Sequence, residues 1–267
     1  MDFLNTFLHV IFFVVGLCFG SFLNVLVYRL PNKISIVTPA SSCPACKTEL
    51  GAVELVPLVG YLFLRGRCRH CGVKISARYP LVELATGLLF VLAYSYFGLT
   101  LNTFFYLVLL FLLLAVSLID LEHRIVPNTI VAAGLVAGIL FYIPALAGLW
   151  LELPGPLILD RPFFDAGAGF LLGGAIMLAI LLISRGGMGA GDMKLMALIG
   201  FYLGLRGAAL VMLLGFFLGA VVGVTLIAFG VLTRKDALPF APYLSLAALI
   251  HVFWGSSIID WYLNLLN

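Results

Sequence analysis

Long apolar runs are the feature that most restricts the fold of this chain. Hydrophobic residues make up 63% of its 267 residues and charged residues only 10%. Helices satisfy their own backbone hydrogen bonds in lipid, so such runs predict an all-α membrane protein with about eight transmembrane helices. The runs are 3–27, 80–97, 101–119, 129–149, 163–184, 193–205, 207–232 and 239–263. The sixth is shorter than the roughly 17 to 25 residues of a full span.

Lys and Arg are distributed unevenly between the two sides of this topology. Of the 15 residues, only Arg161 and Arg206 fall on one side, whereas eight lie between Arg29 and Arg78 on the other. Because basic residues accumulate on the cytoplasmic side of a membrane, we expect residues 28–79 to face the cytoplasm and both termini to face outward. This basic segment indicates contact with lipid head groups or a protein partner rather than with nucleic acid.

Residues 28–79 form the one stretch with the composition of a soluble segment. Prolines interrupt any long helix there, at Pro31, Pro39, Pro44 and Pro57. We therefore divide the chain into transmembrane helix 1 at 1–27, a small cytoplasmic domain at 28–79 and a polytopic membrane domain at 80–267. A domain of about fifty residues rarely folds on its hydrophobic core alone and usually needs a metal ion or disulfides.

Two Cys-x-x-Cys pairs in this segment could provide such a metal site or such disulfides. Cys43 with Cys46 and Cys68 with Cys71 have a spacing close to that of zinc-ribbon knuckles. Two disulfides or four free thiols are the alternatives, but a cytoplasmic location disfavours disulfides. We predict a zinc ion with four thiolate ligands. Such a closed coordination sphere has no position for an activated water, so the metal should be structural.

Two aspartates lie at the ends of apolar runs. Asp120 ends the third predicted helix, and Asp192 lies at the start of the sixth. A carboxylate within a membrane segment costs about 3 kcal/mol and is by default a candidate functional residue. Two carboxylates at short range cannot both ionise, and a pair sharing one proton can hydrolyse a peptide bond. We therefore predict an aspartate dyad at one depth of the membrane.

Each aspartate also has a structural interpretation. Asp192 could be the N-cap of the sixth helix, and Asp120 could pair at the membrane surface with Arg124 or His123. The glycine-rich run 186–191 before Asp192 should be non-helical, and its bare backbone would let an extended substrate approach closely.

Short motifs follow one another along nearly the whole chain. They are Gly20-Ser21-Phe22-Leu23-Asn24-Val25, Tyr28-Arg29-Leu30-Pro31, the two cysteine pairs, Arg78-Tyr79-Pro80 with Glu83, Leu118-Ile119-Asp120, Gly189-Ala190-Gly191-Asp192-Met193-Lys194-Leu195 and Pro239-Phe240-Ala241-Pro242. In this order they resemble the motifs of the type IV prepilin peptidases, the bifunctional leader peptidases of pilus and type II secretion systems. The cysteine pairs argue against the shorter archaeal preflagellin-type peptidases, which resemble only the aspartate portion.

The resemblance implies an aspartic endopeptidase that removes the short basic leader from prepilins and pseudopilins, with Asp120 and Asp192 as catalytic residues. It also implies methylation of the new amino group by S-adenosylmethionine, metal binding by the cysteines and a bacterial inner membrane location. The metal ligands would be Cys43, Cys46, Cys68 and Cys71. No glycine-rich strand-to-helix turn is present, so no residue is assigned to S-adenosylmethionine. The oligomeric state stays open.

Two departures from the family pattern are visible. Val126-Pro127-Asn128 stands where many members have Leu-Pro-Asp, and Ala241 stands where many have glycine. We expect neither position to touch a proposed catalytic group.

Two other functions fit part of the pattern. A transporter could use the two carboxylates to relay protons or bind a cation, but it favours charges near the bilayer centre and an inverted repeat. A non-enzymatic scaffold could use the zinc domain to dock partners, in which case the aspartates would have no role.

Overall fold

The computed structural model describes residues 3–146, 163–184, 188–233, 236 and 238–266. Arg161, Gly186 and Gly187, which entered the predictions above, lie outside the described residues. The helices are α1 Phe3–Arg29, α2 Val59–Phe63, α3 Arg78–Phe97, α4 Leu101–His123, α5 Asn128–Leu146, α6 Phe163–Ile183, α7 Ala190–Ala228 and α8 Ala241–Leu266. The chain divides into two compact units, Met1–Leu99 and Thr100–Asn267.

The predicted all-α membrane fold is confirmed, and the predicted number of spans is not. Among the described residues, six helices are long and apolar enough to cross a membrane. The described apolar part of α5, Asn128–Ile143, is shorter than a full span. The sixth and seventh apolar runs both belong to α7, which is interrupted at Gly204 by non-helical backbone (φ 71°, ψ −175°).

In the first unit, α1 and α3 form a close antiparallel pair. A Cβ added to Gly16 would lie 2.8 Å from the Cα of Gly87, and one added to Gly20 would lie 2.6 Å from the Cα of Glu83. Small residues four positions apart let helix backbones approach each other in lipid, where the hydrophobic effect does not drive helix association.

Residues 30–77 connect these two helices and are tied to their ends by buried polar groups. The Arg29 guanidinium donates hydrogen bonds to the carbonyls of Ser35 (2.9 Å) and Pro39 (2.7 Å). The Glu83 carboxylate accepts one from the Leu58 N–H (2.8 Å). Arg29 and Glu83 are both buried. A buried charged group is costly without such partners. These contacts therefore hold the connecting segment at the end of the helix pair where α1 ends and α3 begins.

In the second unit, α8 runs antiparallel to α4. The Ser245 hydroxyl donates to the Leu113 carbonyl (3.3 Å), and the Ala241 N–H donates to the Asp120 carboxylate (3.1 Å). The C-terminal end of α4 therefore lies beside the N-terminal end of α8.

By contrast, α5 runs parallel to the first half of α7. Lys194 Nζ donates to Asn128 Oδ1 at one end (2.8 Å), and the Tyr202 hydroxyl donates to the Gly134 carbonyl further along (2.8 Å). Since α5 follows α4 after a short loop, the start of α7 lies at the same end of this unit as Asp120.

The first half of α7 also packs against α6 with the two backbones in contact. A Cβ added to Gly173 would lie 2.7 Å from the Met196 carbonyl oxygen, and one added to Gly169 would collide with the carbonyl oxygen of Gly200. Only glycine permits this spacing at Gly169 and Gly200.

The interruption of α7 is stabilised by a side chain of α6. Asp165 Oδ1 accepts a hydrogen bond from the Leu205 N–H (3.1 Å), which the break at Gly204 would otherwise leave without a helical partner. A side chain at Gly204 would collide with the Asp165 carboxylate, and its positive φ also favours glycine. Asp165 therefore acts as the cap of the second half of α7.

We predict that Gly169→Ala destabilises the protein by about 1–3 kcal/mol, because the methyl group would separate α6 from α7. Gly167→Ala is the matched control on the same helix, since a Cβ there has no neighbour within 4 Å. The control should be neutral or stabilising by about 0.5–1 kcal/mol. Unfolding by sodium dodecyl sulfate in mixed micelles measures both. Equal stabilities for the two variants would contradict the close α6–α7 contact.

Candidate active site and metal centre

Each cysteine pair lies in a tight turn, and the two turns share one hydrogen-bond pattern. The Cys43 N–H donates to the Thr48 carbonyl, and the Cys68 N–H donates to the Val73 carbonyl, both at 2.9 Å. One isolated antiparallel bridge closes each turn, at Ser42 with Glu49 and at Arg67 with Lys74. The second turn therefore repeats the first, as expected if both present two sulfur atoms to one ion.

The two turns bring all four sulfur atoms together. The ligand atoms of Cys43, Cys46, Cys68 and Cys71 lie within 4.8 Å of one another. The Sγ atoms of Cys43 and Cys71 are 3.8 Å apart. Tetrahedral Zn–S bonds of about 2.3 Å place sulfur atoms roughly 3.8 Å apart. The cluster therefore has the dimensions to hold a zinc ion.

Local hydrogen bonds favour the thiolate form at two of the four cysteines, Cys46 and Cys68, whereas burial and the neighbouring cysteine side chains raise the pKa of Cys71 to about 11. The hydroxyl group and then the main-chain N–H of Thr48 lower the pKa of Cys46 to about 6. Main-chain hydrogen bonds from Cys71 and His70 lower the pKa of Cys68. His70 itself is not part of the sulfur cluster; its Nε2 lies 3.8 Å from Glu54 Oε2.

We predict that Cys43→Ser lowers the bound zinc of the purified protein well below one ion per chain and destabilises the 28–79 segment, because removing a thiolate opens the coordination sphere. Cys18→Ser is the control, since Cys18 lies on α1, outside the cluster. Plasma mass spectrometry gives the metal content. Unchanged zinc in Cys43→Ser would contradict the four-thiolate site.

Asp120 lies in the last turn of α4 and is buried at 5% exposure. Its Oδ2 accepts the hydrogen bond from the first N–H of α8, that of Ala241. The charge of Arg124, which ends α4 with left-handed backbone (φ 55°), also acts on this carboxylate. Asp120 thus has a fixed hydrogen-bond donor, the Ala241 N–H, in addition to Arg124, the cation proposed as its partner at the membrane surface.

Asp192 lies in the first turn of α7 and is buried at 8% exposure. The alternative interpretation is wrong about the position, because the N-cap residue is Gly189 and Asp192 is the third residue of the helix. The Asp192 carboxylate nevertheless accepts a hydrogen bond from the Gly189 main chain at the start of the helix. The expectation for the run 186–191 is also wrong at its end, because Ala190 and Gly191 are helical. The helical backbone, stabilised by packing against α5 and α6, outweighs the low helix propensity of glycine.

The two carboxylates are electrostatic neighbours. The packing of α4, α5, α7 and α8 places both at the same end of the unit, near enough for the negative charge of Asp120 to affect Asp192. Two largely buried carboxylates in this relationship favour a state in which one of them is protonated. The arrangement can therefore supply one acid and one base.

One of the two departures from the family pattern contacts a proposed catalytic group, so the expectation that neither does is wrong for Ala241, while the other departure contacts neighbours of Asp192. The N–H of Ala241 donates to Asp120, and Asn128 accepts from Lys194, two residues after Asp192. A Cβ on Gly191 would lie 2.8 Å from the Val126 side chain. The sequence did not reveal these contacts because they join helices that are distant along the chain.

Comparison with known proteins adds independent evidence. Residues 14–97 match the Bacterial Peptidase A24 N-terminal domain, and residues 107–224 match the Type IV leader peptidase family. A protein from Bacillus subtilis strain 168, named prepilin leader peptidase/N-methyltransferase, is 36% identical over 96% of this chain and 98% of its own length. The chain belongs to the type IV leader peptidase family. The resemblance found in the sequence motifs is therefore confirmed.

Other family members with the same name give a similar match. The protein from Aeromonas salmonicida strain A449 is 34% identical over 94% of this chain and 92% of its own length. The protein from Pseudomonas aeruginosa is 36% identical over the same shares. No solved structure matches the chain. The two family matches divide between residues 97 and 107, close to the division of the two compact units; the predicted domain boundaries at 27 and 79 stay predictions.

Proposed function

We propose that this multi-pass membrane protein is an aspartic endopeptidase that removes the leader from type IV prepilins and pseudopilins, and that it then methylates the new N-terminal amino group. The observation that carries the proposal is the pair of buried carboxylates, Asp120 and Asp192, that helix packing brings to one end of the second unit. Relatives named prepilin leader peptidase/N-methyltransferase cover nearly the whole chain and support both activities.

In this proposal Asp120 and Asp192 share one proton. The ionised carboxylate takes a proton from water, whose oxygen attacks the scissile carbonyl carbon, while the protonated carboxyl donates to the carbonyl oxygen. When the tetrahedral intermediate collapses, the C–N bond breaks and the departing amine takes a proton from the dyad. The hydrogen bond from the Ala241 N–H holds Asp120 in one orientation throughout.

The position of the pair favours hydrolysis over proton transport. Asp192 is in the first turn of α7 and Asp120 in the last turn of α4, so both lie near helix ends. A transporter favours carboxylates near the middle of a span, where an ion would be relayed across the bilayer. A substrate at a membrane surface is reached more directly from helix ends.

We further propose a bacterial inner membrane location. The cysteine segment, residues 28–79, and the aspartate dyad would both lie on the cytoplasmic side. The concentration of Lys and Arg between Arg29 and Arg78 supports this orientation. The cysteine cluster would hold a structural zinc ion through Cys43, Cys46, Cys68 and Cys71. S-adenosylmethionine would supply the methyl group, as the names of the relatives suggest, and we assign no residue to it.

We expect Asp120→Asn and Asp192→Asn each to lower the rate of prepilin cleavage by more than about a hundred-fold, because an amide can neither take nor share the proton. Mass spectrometry of a prepilin substrate incubated with purified protein in detergent measures the loss of the leader. Bound zinc and the unfolding midpoint should stay at the values of the unmodified protein.

Asp165→Asn is the matched control for these variants. It makes the same chemical change at the residue that caps Leu205, about 20 Å along α7 from Asp192. This variant should retain the cleavage rate, because the asparagine Oδ1 can still accept the Leu205 N–H. Full activity of Asp120→Asn would contradict the dyad.

The methyl transfer should be separable from cleavage. With S-adenosylmethionine present, the cleaved product of the unmodified protein should gain the mass of one methyl group. The Asp192→Asn variant should still methylate a pilin peptide supplied without its leader, because that peptide already has the free amino group. Absence of methyl transfer to both substrates by the unmodified protein would remove the second activity from the proposal and leave the first.

A further inference from the structure

Residues 53–63, which we call the apolar turn, expose hydrophobic side chains on a segment outside the spanning helices. Val59, Leu62 and Phe63 of α2 are 59%, 70% and 76% exposed. Glu54 is the single charged residue of the turn, and its side chain is only 7% exposed, with Oε2 accepting a hydrogen bond from the Gly51 N–H (2.7 Å). The charge is turned inward and the apolar groups outward, the reverse of a surface that faces water.

A hydrogen bond fixes the depth of the apolar turn relative to α3. Leu58, immediately before α2, donates its N–H to Glu83 on α3. Glu83 lies about 7.5 Å along the helix axis from Arg78, the first residue of α3. The 20 residues of α3 span about 30 Å, the thickness of the hydrocarbon core. Leu58 therefore lies within about 7.5 Å of the N-terminal end of α3, near the boundary between the lipid head groups and the acyl chains.

The two helices that this segment connects also expose large side chains near the ends from which the segment departs. Tyr28 at the end of α1 and Leu81 near the start of α3 are 61% and 63% exposed. Tyrosine at a helix end is typical of the membrane interface. The Leu58–Glu83 hydrogen bond thus attaches the turn to a helix pair that itself exposes large side chains at this end.

Basic residues follow the turn directly. Arg65, Arg67 and Arg69 are all exposed. An apolar group bordered by basic side chains matches a membrane whose acyl chains lie beneath anionic head groups.

We propose that the apolar turn inserts into the interface of the same membrane that α1 and α3 span. Val59, Leu62 and Phe63 contact the acyl chains, and Arg65 and Arg67 contact anionic head groups. This insertion, together with the Leu58–Glu83 hydrogen bond, holds the cysteine segment against the membrane in one orientation.

Fluorescence quenching by brominated lipids tests the insertion. The natural tryptophans Trp150, Trp254 and Trp261 are replaced by Phe, and Phe63→Trp supplies the reporter. The protein is reconstituted into vesicles of phosphatidylcholine and phosphatidylglycerol, with bromine placed either near the carboxyl end or near the methyl end of the acyl chains. We expect at least a two-fold loss of emission with the shallow bromine and a smaller loss with the deep one.

Glu49→Trp in the same background is the matched control, because Glu49 is exposed in the first cysteine turn. Its emission should respond to acrylamide in water and not to either brominated lipid. Two results for Phe63→Trp would overturn the proposal. Quenching by acrylamide alone would place the turn in water, and protection from both quenchers would place it against another protein surface.

A second variant separates insertion from folding. Val59→Trp should be quenched by the shallow bromine, and adding Leu62→Glu with Phe63→Glu should abolish that quenching while bound zinc is unchanged. Because neither readout requires peptidase activity, failure of this test would leave the proposed function standing. Persistent quenching with intact zinc would show that the apolar side chains do not drive insertion.

Discussion

Every main-chain N–H and C=O inside a bilayer needs a partner within the protein, and the rest of this structure depends on that requirement. It makes the spanning segments helical and leaves polar groups free to act only near helix ends or breaks. Asp120 and Asp192 lie in a last and a first turn, and the Ala241 N–H that contacts Asp120 is itself the first donor of a helix. The one interruption of α7 is tolerated because Asp165 accepts the exposed N–H.

Glycine contacts give the proposed dyad a rigid support. Lipid offers no hydrophobic drive for helices to associate, so close backbone packing supplies much of the attraction. The approach of α6 to α7 at Gly169 and Gly200, and the hydrogen bond from Tyr202 to α5, hold the first half of α7 on two sides. Asp192 at the start of this half-helix consequently has little freedom to move away from Asp120.

The cysteine segment illustrates a different source of order. It has too few residues for a core, and its two cysteine turns are instead organised around the position that a metal ion would occupy. Spacing along the chain was enough to predict this cluster, because each pair lies within one turn. The contacts of Arg29 and Glu83 that attach the segment to α1 and α3 were not predicted, since they depend on which loop groups the folded chain brings to each buried charge.

The sequence by itself determined the membrane class, the all-helical fold, the cysteine cluster and the family, because hydropathy, local spacing and motif order are properties of short stretches. Only the tertiary structure decided that two apolar runs form one interrupted helix, that Gly189 rather than Asp192 is the N-cap of α7, and that Ala241 donates to Asp120. These features arise from contacts between segments far apart in the chain. Their energies depend on the packing of neighbouring helices, which outweighs local propensity and leaves no periodic signal in the sequence.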